Sequence, residues 1–165
     1  LNQVSRLLDS DLEIETVLER LLHELVRLFA CDRVVLVYPA DPDVDELSIP
    51  FQASAPGQPP IRTRFPMVAA ARAAFRDALA AARPLVFGPQ SPLVVTCQMG
   101  DDPSREVRSL VMFTVRPRVG KPWALELQQV GYARAWTDEE VRLFHELGSR
   151  VTDALSNMLL HRQLR

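Results

Sequence analysis

Across residues 11–29 the apolar side chains Ile14, Val17, Leu18, Leu21, Leu22, Leu25, Leu28 and Phe29 return every third or fourth position. That period predicts an amphipathic helix with one buried face. Ser10 and Glu13 have the spacing of a capping box, and Val4, Leu7 and Leu8 predict a short helical turn upstream. The period then changes. Residues 33–38 (Arg-Val-Val-Leu-Val-Tyr) are dense in β-branched and aromatic side chains and read as a buried strand closed by Pro39. Asp41-Pro42-Asp43 makes a turn, and strands follow at 46–53 and 61–65, with a Pro- and Gly-containing loop between them. Residues 68–83 form an Ala-rich helix stopped by Pro84.

Leu85-Val86-Phe87 reads as a short strand. Residues 88–106 carry three prolines and two glycines with little periodicity, a length of loop that is unusual inside a compact domain unless it is functional. Residues 107–116 and 122–130 are the clearest strands and are joined as a hairpin. The last helix spans 137–165, with Thr137 as N-cap, Glu140 closing a capping box, and Trp136 and Val141 spaced as a hydrophobic staple. Along it Phe144, Leu147, Val151, Ala154 and Met158 fall at a 3-4-3-4 spacing, which predicts a coiled-coil seam and a homodimer through the terminal helices. The fold class is therefore α+β with one mostly antiparallel sheet, in a single domain over 1–165.

Composition narrows the function classes. The chain has 165 residues, 19 Lys+Arg against 21 Asp+Glu, and 47% hydrophobic residues. Near-neutrality offers no basic field for nucleic acid or anionic lipid. No apolar run approaches the roughly 18–20 residues of a membrane span, which predicts no membrane insertion of this segment and a cytoplasmic location. Cys31 and Cys97 are too few for a disulfide framework or a thiolate zinc site. A start at Leu1 and a helix that has not stopped by Arg165 predict an internal module of a longer chain.

Chemical signatures are sparse. Phosphate loops, dinucleotide fingerprints and nucleophile elbows are missing. His23-Glu24 and His145-Glu146 begin like helical zinc sites, but the residue four on from each histidine is Arg27 or Ser149, so no metal site is expected. Cys97 is a thioether, redox or pocket-wall candidate. The alternative is a small hydrophobe under a loop, and no His or Lys beside it lowers its pKa. Arg108, beside Ser109, is a candidate for an anionic ligand group. Glu126 breaks an apolar strand and is followed by Gln128 and Gln129. On strand alternation Trp123, Leu125, Leu127 and Gln129 share one face, and Ala124, Glu126, Gln128 and Val130 the other. Either one of these faces lines a cavity or the sheet face is only partly covered.

Three stretches carry a family resemblance: Arg-Ser-Leu-Val-Met-Phe-Thr-Val from Arg108, Gly-Lys-Pro-Trp-Ala-Leu-Glu-Leu from Gly120, and Ala-Arg-Ala-Trp-Thr-Asp-Glu-Glu-Val from Ala133. With the earlier Ile61-Arg-Thr-Arg-Phe-Pro and Arg83-Pro-Leu-Val-Phe, they resemble a GAF domain over nearly the whole chain. The resemblance implies a GAF/PAS-like central antiparallel sheet of about six strands. The N- and C-terminal helices would lie on one face and a ligand cavity on the other, under the middle helix and long loop. Pocket candidates on that basis are Cys97, Met99, Arg108, Ser109, Leu127 and Gln129. Bilin-binding relatives carry a Cys-His pair and a late strand histidine; here Gln98 follows Cys97 and Gln129 stands at the late position. Bilin is therefore not supported; the Asn-Lys-x-Phe-Asp-Glu signature of cyclic-nucleotide-binding relatives is absent, haem is not supported either, and the ligand is unknown.

The resemblance implies a non-catalytic sensory domain of a bacterial sensor histidine kinase or related two-component regulator, linked to an output domain. Its terminal helices would pass on a small-molecule or upstream signal. The alternative is a ligand-free dimerisation and relay module. A GAF-fold methionine sulfoxide reductase would need several pocket cysteines, and only Cys97 is near.

Overall fold

The computed structural model describes residues 3–59, 61–91 and 106–164. Its elements run α1 (Gln3–Phe29), β1 (Arg33–Tyr38), β2 (Glu46–Ser54), β3 (Arg64–Pro66), α2 (Ala69–Ala80), β4 (Leu85–Phe87), β5 (Val107–Val115), β6 (Trp123–Val130) and α3 (Asp138–Gln163). The six strands form one sheet in the order β3-β2-β1-β6-β5-β4, and every neighbouring pair is antiparallel.

Both faces of the sheet are covered, which is why β6 is buried at every position instead of alternating. On one face α1 and α3 contribute Leu18, Leu22, Leu25, Phe144, Val151, Leu155 and Met158 to a core with Val34, Leu36, Leu125 and Leu127. Arg162 of α3 bonds Glu15 of α1, and Phe144 packs on Phe29, so the two helices run antiparallel. On the other face α2 buries Ala71, Ala74, Phe75 and Ala78 over Val35, Val37, Leu110, Met112 and Ala124. Alanine at three of those four helix positions lets α2 lie close to the sheet, since no long side chain holds it away.

Three boundaries differ from the sequence reading. α1 begins at Gln3, so Ser10 lies inside a continuous helix and not at its start. No glycine or proline interrupts the helical period between Val4 and Ile14, and the upstream turn joins the helix. The third strand is only Arg64–Pro66. Ile61 is held instead by the side chain of Gln52, which accepts from the Ile61 amide at 3.0 Å and donates to its carbonyl at 3.2 Å. α2 ends at Ala80 because Pro84 disfavours helical geometry just before it. By contrast, Thr137 and Glu140 make the reciprocal bonds of the capping box that the sequence predicts.

Two close approaches fix α1 and α3. A Cβ on Gly148 would lie 1.8 Å from Cζ of Phe113, so only glycine lets α3 settle on β5 there. The Phe113 ring has little room to yield, standing edge-on to Phe144 and to His145. At the other end, α1 closes with Ala30 at φ 47°, and the Cys31 amide reaches back to the Val26 carbonyl at 3.3 Å. This left-handed position normally takes glycine, because an L-residue's Cβ crowds the following carbonyl. Ala30→Gly is therefore expected to raise stability by about 0.5–1 kcal/mol. In calorimetry this is a Tm gain of roughly 1–4 °C for a chain of this size. An unchanged or lower Tm would mean the left-handed turn carries no strain.

Candidate functional site

The sequence-selected residues land in different places. Cys97 and Met99 lie outside the described residues. Arg108 is exposed at the irregularity between Val107 and Ser109, with its guanidinium 3.8 Å from Glu106. Leu127 is fully buried in the core beneath α1 and α3. It therefore faces away from α2 and cannot line a cavity there. Ser109 and Gln129 are cross-strand partners. Both are buried and turn to the terminal-helix side, where each bonds Arg134.

The residues of the 3-4-3-4 spacing on α3 face this chain's own core. Phe144, Val151 and Met158 are at most 1% exposed, and Leu147 and Ala154 pack against the same core. Their spacing reports packing onto this chain's own sheet and α1. Among the described residues of the two helices, the large apolar side chains left outside are Val17 and Leu28 on α1 and Leu143 on α3.

Two polar constellations remain, one on each face. The first sits on the α2 side of the central strands. Arg33 pairs across to Gln128, and Val35 to Glu126, so Arg33, Gln128 and Glu126 share the face that carries Val35, Met112 and Ala124. Arg33 Nη1 donates to Gln128 Oε1 at 3.3 Å, and Gln128 Nε2 donates to Glu126 Oε1 at 3.1 Å. Arg33 Nη2 also reaches the Pro59 carbonyl at 3.3 Å. All three side chains are buried. This is a polar run in an apolar wall, where ionised groups are costly unless they are well paired. Burial pushes the Glu126 carboxyl up to about 7, and the hydrogen bond from Gln128 opposes the rise only in part.

The stability consequence has a definite sign. Glu126 holds its proton more tightly folded than unfolded, so its neutral form fits the fold at no charge cost at low pH. The stability is full below the ordinary value of 4.5 and is lost as pH rises through about 7. The loss is on the order of 3 kcal/mol. Glu126→Gln keeps an oxygen for the Gln128 donor, so it is expected to flatten this dependence and to exceed the parent chain in stability at pH 8. Urea denaturation at pH 5 and pH 8 measures both. Parallel pH curves for the two proteins would show that Glu126 stays ionised in the fold.

The second constellation centres on Arg134, which the sequence reading did not select. Its Nη2 donates to the Phe29 carbonyl at 2.7 Å and its Nη1 to that of Ala30 at 3.2 Å, closing the C-terminal end of α1. Nη1 also donates to Gln129 Oε1 at 3.1 Å, and Nη2 bonds Glu140 in the first turn of α3. The guanidinium lies 4.2 Å from the Trp136 ring centre, a cation–π distance. Its backbone amide donates to Ser109 Oγ at 2.9 Å. Asp32 steadies the same corner by accepting from Gln129 Nε2 at 2.8 Å and from the Val130 amide at 2.9 Å. A cation is favourable here, since the last carbonyls of a helix lack partners and carry the negative end of its dipole.

Other candidates are structural. Cys31 is buried, its thiol pushed up to about 11 by burial, so it is a core residue and not a nucleophile. Asp41 organises a turn, accepting from the Asp43 amide at 2.9 Å and from Lys121 Nζ at 3.0 Å. No group of three or more metal-ligating side chains occurs among the described residues. No helix is long and apolar enough to cross a membrane, among the same residues.

No protein-family model and no curated protein sequence matches the chain. Solved structures do. The photoproduct state of GAF3 from Slr1393 of Synechocystis sp. PCC6803 matches with a TM-score of 0.64 at 14% identity, covering 92% of this chain and 99% of that one. The blue-light absorbing form of the Thermosynechococcus elongatus PixJ GAF domain matches at 0.63 and 19%, covering 94% and 92%. The GAF-B domain of DevS from Mycobacterium smegmatis matches at 0.56 and 19%, covering 92% and 99%. With a six-stranded antiparallel sheet and three helices matching these structures over nearly its full length, this chain has the GAF fold.

Proposed function

We propose that the chain is a non-catalytic sensory domain that binds a small molecule on the α2 side of its sheet and passes the signal out through α1 and α3. The observation that carries this reading is the buried run Arg33–Gln128–Glu126 in an otherwise apolar wall. A fold optimised only for stability would place apolar side chains there, because perturbed, buried titratable groups concentrate at sites of function. The GAF fold of light-absorbing and DevS domains supports a regulatory role without naming a ligand. In this reading the parent is a bacterial sensor histidine kinase or related two-component regulator in the cytoplasm. The domain pairs with a second copy through Val17, Leu28 and Leu143 and drives a covalently linked output domain.

A ligand can do this only by preferring one arrangement of the terminal helices over another. Native mass spectrometry of the purified protein, under gentle and then denaturing ionisation, tests for a co-purified small molecule. Sedimentation over a range of concentrations tests for pairing. A dimer that carries nothing, and whose α2-face amide signals do not move in any metabolite mixture, would favour ligand-free relay instead.

A further inference from the structure

Glu126 gives the α2-side site a chemical preference. Its carboxyl is flanked across the strands by Val35 and Met112, both buried. Its hydrogen bond comes from Gln128 to one oxygen, and the other oxygen has no hydrogen-bond partner among the described residues. α2 buries Ala71, Ala74, Phe75 and Ala78 on this face; its half-buried Arg72 bonds the Pro42 carbonyl, and Arg76 and Asp77 are exposed. The one charged neighbour in the run is Arg33, and Gln128 stands between it and Glu126. Among the described residues, the carboxylate thus has a neutral donor on one oxygen and no cation of its own.

We propose that this site takes an organic cation, a protonated amine or amidine on an apolar body, with its N–H groups on Glu126. The inference rests on the sensory reading above. An ammonium or amidinium would supply the charge partner that a buried carboxylate needs. The apolar body would enter between α2 and the Val35, Met112 and Ala124 floor, parting surfaces that pack on each other in the unliganded chain. An anionic ligand would meet a second negative charge there, and a neutral one would leave the carboxylate without a counter-charge.

The test titrates benzylamine and benzamidine into the full chain at pH 8, with benzyl alcohol and benzoate as neutral and anionic matches, following amide and methyl NMR signals. The cations are expected to shift Val35, Met112 and Ala124, and Glu126→Gln to weaken them about tenfold or more. Glutamine keeps the size and one acceptor, and its NMR spectrum verifies that the variant is folded. Benzylamine affinity is also expected to fall from pH 8 to pH 6, as the Glu126 carboxyl takes up its proton near 7. If benzyl alcohol or benzoate shifts the same signals as strongly, the cation preference is wrong and the α2-side site stands. Equal cation affinity in Glu126→Gln also overturns the preference. If no probe moves any signal on this face, the cation preference is wrong, while the sensory reading falls only if the mass-spectrometry and metabolite tests above also come back empty.

Discussion

Val151→Asp is expected to abolish the cooperative fold, not to separate a dimer into folded monomers. Val151 is 1% exposed, in one core with Phe144, Leu155 and Met158 of its own helix, Leu18 and Leu22 of α1, and Leu125 and Leu127 of β6. The substitution forfeits about 2 kcal/mol of valine burial and forces a carboxylate into a space with no donor built for it. A total loss above about 4 kcal/mol would consume most of the stability that a domain of this size possesses. Circular dichroism and urea titration should show no folded baseline at neutral pH. Leu143→Asp is the control, because Leu143 is 37% exposed on the outer side of the same helix. It is expected to leave the melting curve within about 0.5 kcal/mol of the parent and to change only association in sedimentation. A folded, merely monomeric Val151→Asp would restore the seam to the surface.

That prediction also marks how far the sequence could be read. A 3-4-3-4 spacing states that one side of a helix is apolar and leaves open what covers it. The tie is broken by α1 and β6, whose own apolar positions had to find a partner within the chain. Elements with strong local signals came through: the Thr137–Glu140 capping box, the β5–β6 hairpin and the β1 strand all stand where patterning put them. Signals set by distant contacts did not. Strand alternation divided β6 correctly into two faces, yet both faces are buried, so alternation gave no sign of which one carries a site. Gln129 shares the terminal-helix side with Leu127, as alternation grouped them. Glu126 was legible as an anomaly, because a carboxylate in an apolar strand needs a reason. Its partners were not, since Arg33 lies 95 residues from Gln128 and meets it only through β1–β6 pairing. Arg134 sits in a turn of ordinary composition, and its role appears only when the end of α1 is folded back beside it.

Arg134→Ala is expected to cost about 2–4 kcal/mol. The side chain is 16% exposed, so water can replace only part of what is lost. Truncation strands the Phe29 and Ala30 carbonyls, Gln129 Oε1 and the Glu140 carboxylate together, and removes the cation from the Trp136 ring. Arg134→Lys separates charge from geometry. An ammonium keeps the favourable field at the end of α1, but one nitrogen cannot serve carbonyls, an amide oxygen and a carboxylate lying in different directions. It should therefore recover less than half of the loss. Hydrogen exchange gives the decisive readout: amides in the last turn of α1 and the first turn of α3 should lose protection together in both variants. Those in the middle of β1 and β6 should follow only the global stability. Joint loss is the mark of one side chain clamping two helix ends that lie 100 or so positions apart in the chain. If the two ends open independently, or if lysine restores full protection, Arg134 contributes charge alone and the helix ends are held by the core beneath them.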